Sequence, residues 1–133
     1  MDGIYKTFFA VGGAFSSFLW GGWSALLGIL LLFVAFDFVS GVIAAIIEKK
    51  WDYKEGLMGI TRKVFIFAIV AVAHQIDSAL GDQHVFRDAT VFFYLANELL
   101  SIIENSSKIG LPVPDPIKKA AEILKGKGGQ GGN

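Results

Sequence analysis

The chain has 133 residues, 53% of them hydrophobic and 18% charged, with a mean hydropathy of +0.55. A soluble domain of this length carries about 25% charged residues, so the composition argues against an ordinary globular core. Formal net charge is zero, which removes a global basic field for nucleic acid, and the lack of cysteine removes disulfides, thiolate catalysis and cysteine-based metal sites.

Taken in order, residues 4–20 are apolar and aromatic but are interrupted by Gly12 and Gly13. The sequence before them lacks the basic start and short apolar stretch of a cleavable signal, so this end is expected to be retained. Gly21 and Gly22 break the helix, and Trp20 and Trp23 flank the break as an interfacial aromatic belt does. The reading is an amphipathic or partly inserted N-terminal helix within residues 1–23, with a fourth span as the alternative.

Residues 24–47 hold one charge, Asp37, and exceed the roughly 20 residues that cross a bilayer core. Ser24 is placed to cap this helix, and Glu48, Lys49 and Lys50 end it, their long side chains suited to reaching headgroups. Residues 51–56 read as a polar loop with aromatic anchors. Thr61, Arg62 and Lys63 open a second span, 62–80, apolar in its body except for His74, Gln75 and Asp77. A turn at 81–84 leads to a third span, 87–105, entered through Arg87 and Asp88 and left through Glu104, Asn105 and Lys108. Prolines then exclude a helix over 110–116. Residues 117–124 are expected to form a short amphipathic helix, and 126–133 a flexible polar tail. The predicted fold is an all-α integral membrane protein: an N-terminal interfacial segment (1–23), three transmembrane helices (24–108) and a Pro/Lys/Gly-rich tail (109–133).

Orientation follows from loop lysines and arginines. Lys49, Lys50, Lys54, Arg62 and Lys63 lie between the first two spans, and Lys108, Lys118, Lys119, Lys125 and Lys127 follow the third. The connection around Gly81 carries Asp77, Asp82 and Asp88 against Arg87 alone. The first loop and the C-terminus are therefore expected in the cytoplasm.

Side chains three and four apart share a helix face. Asp37, Ser40, Gly41, Ala44, Ala45 and Glu48 form one stripe, with small-xxx-small pairs that permit close helix approach. His74, Asp77 and Ser78 share a face of the second span. Thr90, Tyr94, Asn97, Glu98, Ser101, Glu104, Asn105 and Lys108 line the third. Two readings stand side by side. In one, the faces satisfy each other within a subunit, with Asp37 accepting from His74 or Tyr94. In the other, they meet between subunits and line water. No nucleophile elbow, HExxH, phosphate loop or dinucleotide motif is present, so neither an enzyme nor a cofactor is expected. Two histidines make metal binding a weak reading, and His74 reads as an interior hydrogen-bonded group.

Four motifs occur in order: Asp37-Phe-Val-Ser-Gly41; Gly59-Ile-Thr-Arg-Lys63; Phe92-Phe-Tyr-Leu-Ala-Asn-Glu98 followed by Ser101-Ile-Ile-Glu-Asn105; and Leu111-Pro-Val-Pro114. Together they resemble the phage lysis and toxin-secretion holin family over residues 30–124. Asp37, Gly41, Arg62, Lys63, Asn97, Glu98, Glu104 and Asn105 match its motifs, while residues 1–23 match less clearly. The resemblance implies a multi-pass protein of the bacterial cytoplasmic membrane that accumulates harmlessly. At a set time it oligomerises into lesions that release an endolysin or a toxin and bring about host lysis. It implies partners in its own copies, the bilayer and the endolysin or toxin, with an antiholin as a further candidate, and no catalytic residue. Physically, Asp37 and Gly41 are expected to pack the first span on the third, and Asn97 and Glu98 to make the polar contact. Arg62 and Lys63 would fix topology, and the C-terminal lysines would attract anionic lipid. A small pinholin-like ion channel and an antiholin-type regulator are the competing readings.

Overall fold

The buried and half-buried positions of the long helices recur at alternating spacings of three and four, the pattern that drives near-parallel helix packing. In α2 (Ala25–Ile47) the stripe is Leu27, Leu30, Val34, Asp37, Gly41 and Ala44. In α3 (Tyr53–Leu80) it is Lys63, Ile66, Val70, Ala73 and Asp77, and in α4 (Val85–Ile109) it is Val91, Leu95, Glu98, Ile102 and Asn105. These stripes meet in an up-down-up bundle whose apolar centre is Leu27, Leu30, Val34, Ile66, Val70, Val91 and Leu95. A computed structural model describes residues 2–81 and 83–130. Two more helices, α1 (Asp2–Trp20) and α5 (Asp115–Gln130), complete an all-helical fold among the described residues.

Local chemistry sets the boundaries. Ser24 caps α2 as expected, its hydroxyl accepting from the Leu27 amide at 3.2 Å. Asp52 accepts from the Lys54 amide at 3.1 Å and so starts α3 at Tyr53. The polar loop expected over 51–56 is therefore shorter, and its second half is the first turn of a 28-residue helix. Gly110, at φ +94°, closes α4 with its amide donating to the Ser106 and Ser107 carbonyls. The helix-free stretch expected over 110–116 ends early: α5 begins at Asp115, with Pro116 in its first turn, where its missing N–H costs no helical bond.

The tail differs most from expectation. The helix expected to stop at Leu124 continues through Gln130, taking in the glycine-rich stretch expected to be flexible. Helical glycines are unfavourable by close to 1 kcal/mol each, so packing must hold them. Gly128 lies against the Phe93 backbone, where a Cβ would stand 2.9 Å from the Phe93 amide nitrogen. Asp82 of the acidic turn and residues 131–133 of the tail lie outside the described residues.

Among the described residues, two helices, α2 and α3, are long and apolar enough to cross a membrane. Their outward side chains, among them Phe36, Ile46, Val64 and Phe65, are more than half exposed, as lipid-facing residues are in a chain without its bilayer. The third expected span, α4, has the length but carries Arg87, Asp88, Glu98, Glu104 and Lys108. The N-terminal helix α1 has no buried residue and meets the bundle only near its C-terminal end, against α3 and α4.

Candidate functional site

At mid-height of the bundle each long helix contributes a polar group to one cluster. Lys63 from α3 donates to Asp37 Oδ2 of α2 at 2.6 Å and to Glu98 Oε2 of α4 at 3.0 Å. The two carboxylate side chains are less than a tenth exposed. Asn105, two turns along α4 from Glu98, donates to Asp37 Oδ1 at 2.9 Å, to the Asp37 carbonyl at 3.2 Å and to Ser40 Oγ at 3.0 Å. Gly41 lies against that amide, where an added Cβ would stand in van der Waals contact at 3.4 Å from Asn105 Nδ2.

The cluster follows from the energetics of burial. Asp37 and Glu98 sit on apolar stripes, and two unpaired carboxylates there would be strongly unfavourable. A single cation from the third helix bridges both, offsetting one of the two negative charges, and ties the helices in register. Two cavities flank it. One, of about 280 Å³, opens toward Lys50, Asp52 and Glu55; the other, of about 390 Å³, is bordered by Arg62, Tyr94 and Asn97. Ser101 lines both.

A second polar group lies at the opposite end. Asp77 of α3, almost fully buried, accepts from the amides of Phe86 and Arg87 at 2.8 and 2.9 Å. It thereby caps α4, because His84 at the N-cap makes no side-chain cap bond. Arg87 donates to the Trp20 carbonyl at 2.8 Å, Gln75 to the Phe18 carbonyl at 2.7 Å, and the Trp20 indole to the Phe67 carbonyl at 2.9 Å. His74 stacks on His84 with ring centroids 5.8 Å apart, and neither buried Nδ1 has a protein partner among the described residues.

Of the expected site residues, Asp37, Ser40, Gly41, Glu98, Ser101 and Asn105 are brought together, and Tyr94 borders the cluster. His74 and Asp77 are not: they sit at the Gly21 end, and Asp37 accepts from Lys63 and Asn105 rather than from His74 or Tyr94. Asn97 is exposed, and Glu104 pairs on the surface with Lys108 at 3.5 Å. Lys63 was expected among the topology-setting basic residues facing lipid. It instead turns inward, because its helix position faces the two carboxylates. Lys49, Lys50, Arg62, Lys118, Lys119 and Lys125 remain outside the cluster as exposed residues. No group of three or more His, Cys, Asp or Glu residues able to hold a metal occurs among the described residues.

A profile of the bacteriophage holin family matches residues 14–126. An uncharacterised protein of Halalkalibacterium halodurans is 46% identical over 131 residues, covering 95% of this chain and 97% of the relative. One from Listeria monocytogenes is 41% identical over 118 residues, covering 89% and 84%. A protein of Bacillus phage phi105 named a probable holin is 36% identical over 104 residues, covering 74% and 73%. No solved structure matches the chain.

Proposed function

The chain belongs to the bacteriophage holin family, a family of non-enzymatic membrane proteins, and we propose that it assembles in the bacterial cytoplasmic membrane into lesions that release an endolysin or a toxin. The observation that carries this reading is the Asp37–Lys63–Glu98 cluster. It turns one ionisable group from each of three helices inward, so that Glu98, the charge nearest the middle of α4, does not bar a third crossing, while Arg62, Asn97 and Glu104 stay exposed. Lys49 and Lys50 at one end of the bundle, and the lysines after α4, favour a cytoplasmic first loop and C-terminus. Such a bundle accumulates without harm while its carboxylates are paired, and its apolar faces supply the surface through which copies associate. Asp37, Gly41, Glu98 and Asn105 act here as helix-packing groups.

Induced expression in bacteria with a membrane-potential dye and a co-expressed cytosolic cell-wall hydrolase tests this. Sudden depolarisation with hydrolase escape is the expected result. Depolarisation with the hydrolase retained would replace the reading with a narrow channel. No depolarisation, with inhibition of a co-expressed holin, would replace it with a membrane regulator.

A further inference from the structure

The inward cluster has a consequence for any hole this chain lines. The polar groups of α2, α3 and α4 that share it face one another, so they are not free to face a lumen. The outer surfaces of α1, α2 and α3 carry exposed residues such as Phe8, Phe15, Phe36, Val64 and Val72. One side of the molecule differs. Helix α5 folds back along α4, with Ile117, Ala121, Leu124 and Gly128 at spacings of four, three and four. Ala121 is buried and Leu124 packs on the central apolar cluster. The Lys127 ammonium lies 5.7 Å from the Phe92 ring centroid, and Gly128 meets the Phe93 backbone. The remaining flank and outer face present Lys118, Lys119, Glu122, Ile123 and Lys125, all exposed.

This docked position conflicts with an intact bilayer. Phe92 lies 18 residues before Gly110, so Lys127 is carried back about 27 Å along α4. With α4 spanning, the α5 lysines would enter hydrocarbon, where ammonium groups are strongly disfavoured. They would instead be drawn to an anionic headgroup surface. Against water the docked arrangement is favourable: it packs on Phe92 and on the Phe93 backbone and offers charges to solvent. Gly126, Gly128 and Gly129 make the end of α5 a poor helix by itself, so its folding is coupled to docking.

We propose that α5 is the water-facing wall of the hole, held at the anionic membrane surface before triggering and docked along α4 once water replaces lipid beside it. The inference rests on the hole-forming reading above. It is tested with the full chain expressed in bacteria, following depolarisation and hydrolase escape. Gly128→Leu blocks docking at the Phe93 backbone, whereas Gly129→Ala adds a Cβ that meets nothing within 4 Å. Gly128→Leu is expected to accumulate in the membrane like the wild type but to delay onset several-fold or abolish hydrolase escape. Gly129→Ala is expected to trigger at or before the wild-type time. Because the chain has no cysteine, a Phe92→Cys/Lys127→Cys variant reports docking directly through a short bifunctional thiol reagent, with cross-link yield rising several-fold at onset. On-time or earlier triggering by Gly128→Leu, or a yield that falls at onset, would overturn the proposal. A wild-type chain that never depolarises the membrane would remove the hole-forming reading itself, and this inference with it.

Discussion

Lys63 is the residue on which the bundle's electrostatics turn. It bridges Asp37 and Glu98 at 2.6 and 3.0 Å, and its own side chain is 19% exposed. Replacing it by glutamine leaves two buried carboxylates without a cation. Breaking a buried pair costs roughly 3–5 kcal/mol, and the partial exposure of Lys63 puts the expected loss near the lower end. Unfolding of Lys63→Gln by titration with a denaturing detergent should show this loss. The triple variant Asp37→Asn/Lys63→Gln/Glu98→Gln should recover most of it, because removing all the charges removes the desolvation problem. A single variant as stable as the wild type would mean that water enters the flanking cavities and screens the carboxylates. The inward position of Lys63 was legible in the spacing, since it begins the stripe through Ile66, Val70, Ala73 and Asp77. The positive-inside rule weighs its charge alone and carries no information about its helix face. Asp37 and Gly41 are legible as a packing pair because polarity and small size coincide with the apolar period, whereas nothing in the spacing singles out Asn105 over Asn97 as their partner.

At the scale of elements, joints and caps decide which helices stay together. The α1–α2 joint turns on Gly21, at φ +76°, where an added Cβ would lie 2.7 Å from the Cε1 atoms of both His74 and His84. Gly21→Ala is expected to strain the backbone by about 1–2 kcal/mol and to push α1 off the histidine stack. Limited proteolysis near Trp20 should then become faster while cleavage between α2 and α3 keeps its rate. Equal protection of the joint in both proteins would show that α1 is held elsewhere. Asp77→Ala removes the cap of α4, and a loss of about 1–2 kcal/mol is expected. Hydrogen exchange should speed up first at the Phe86 and Arg87 amides, the two that Asp77 accepts from. Unchanged exchange there would assign the cap to solvent. The sequence shows Asp77 as a polar residue near a turn, but a cap that acts across the turn on the next helix leaves no local signature. The length of α5 was hidden for a related reason. Glycine propensity argues for a flexible tail, and only the close approach of Gly128 to the Phe93 backbone, a tertiary contact, reverses it.

For the whole molecule, three tryptophans report how the bundle sits in lipid. Trp20 and Trp23 pack edge to face at one end, 5.5 Å between ring centroids, and Trp23 stacks on Phe67 at 6.4 Å. Trp51 lies at the other end, beyond the 23 residues of α2. That helix is about 34 Å long, close to the roughly 30 Å thickness of a bilayer core. Indoles prefer the headgroup level, where the ring is buried and the N–H finds a polar partner. With α2 along the bilayer normal, both groups fall at the two interfaces and anchor the bundle from each side. Single-tryptophan variants in vesicles of brominated lipid provide the check. Each tryptophan should be quenched most by bromines near the headgroups and least by bromines near the bilayer centre. Central quenching of Trp51 would mean that the Lys49–Lys50 end is buried in hydrocarbon, against the snorkelling of those lysines. Central quenching of Trp20 and Trp23 would place the Gly21 joint inside the core and make α1 a re-entrant segment. Shallow quenching at both ends fixes α2 as a full crossing, and α3, antiparallel beside it through the Lys63 bridge, must then cross with it.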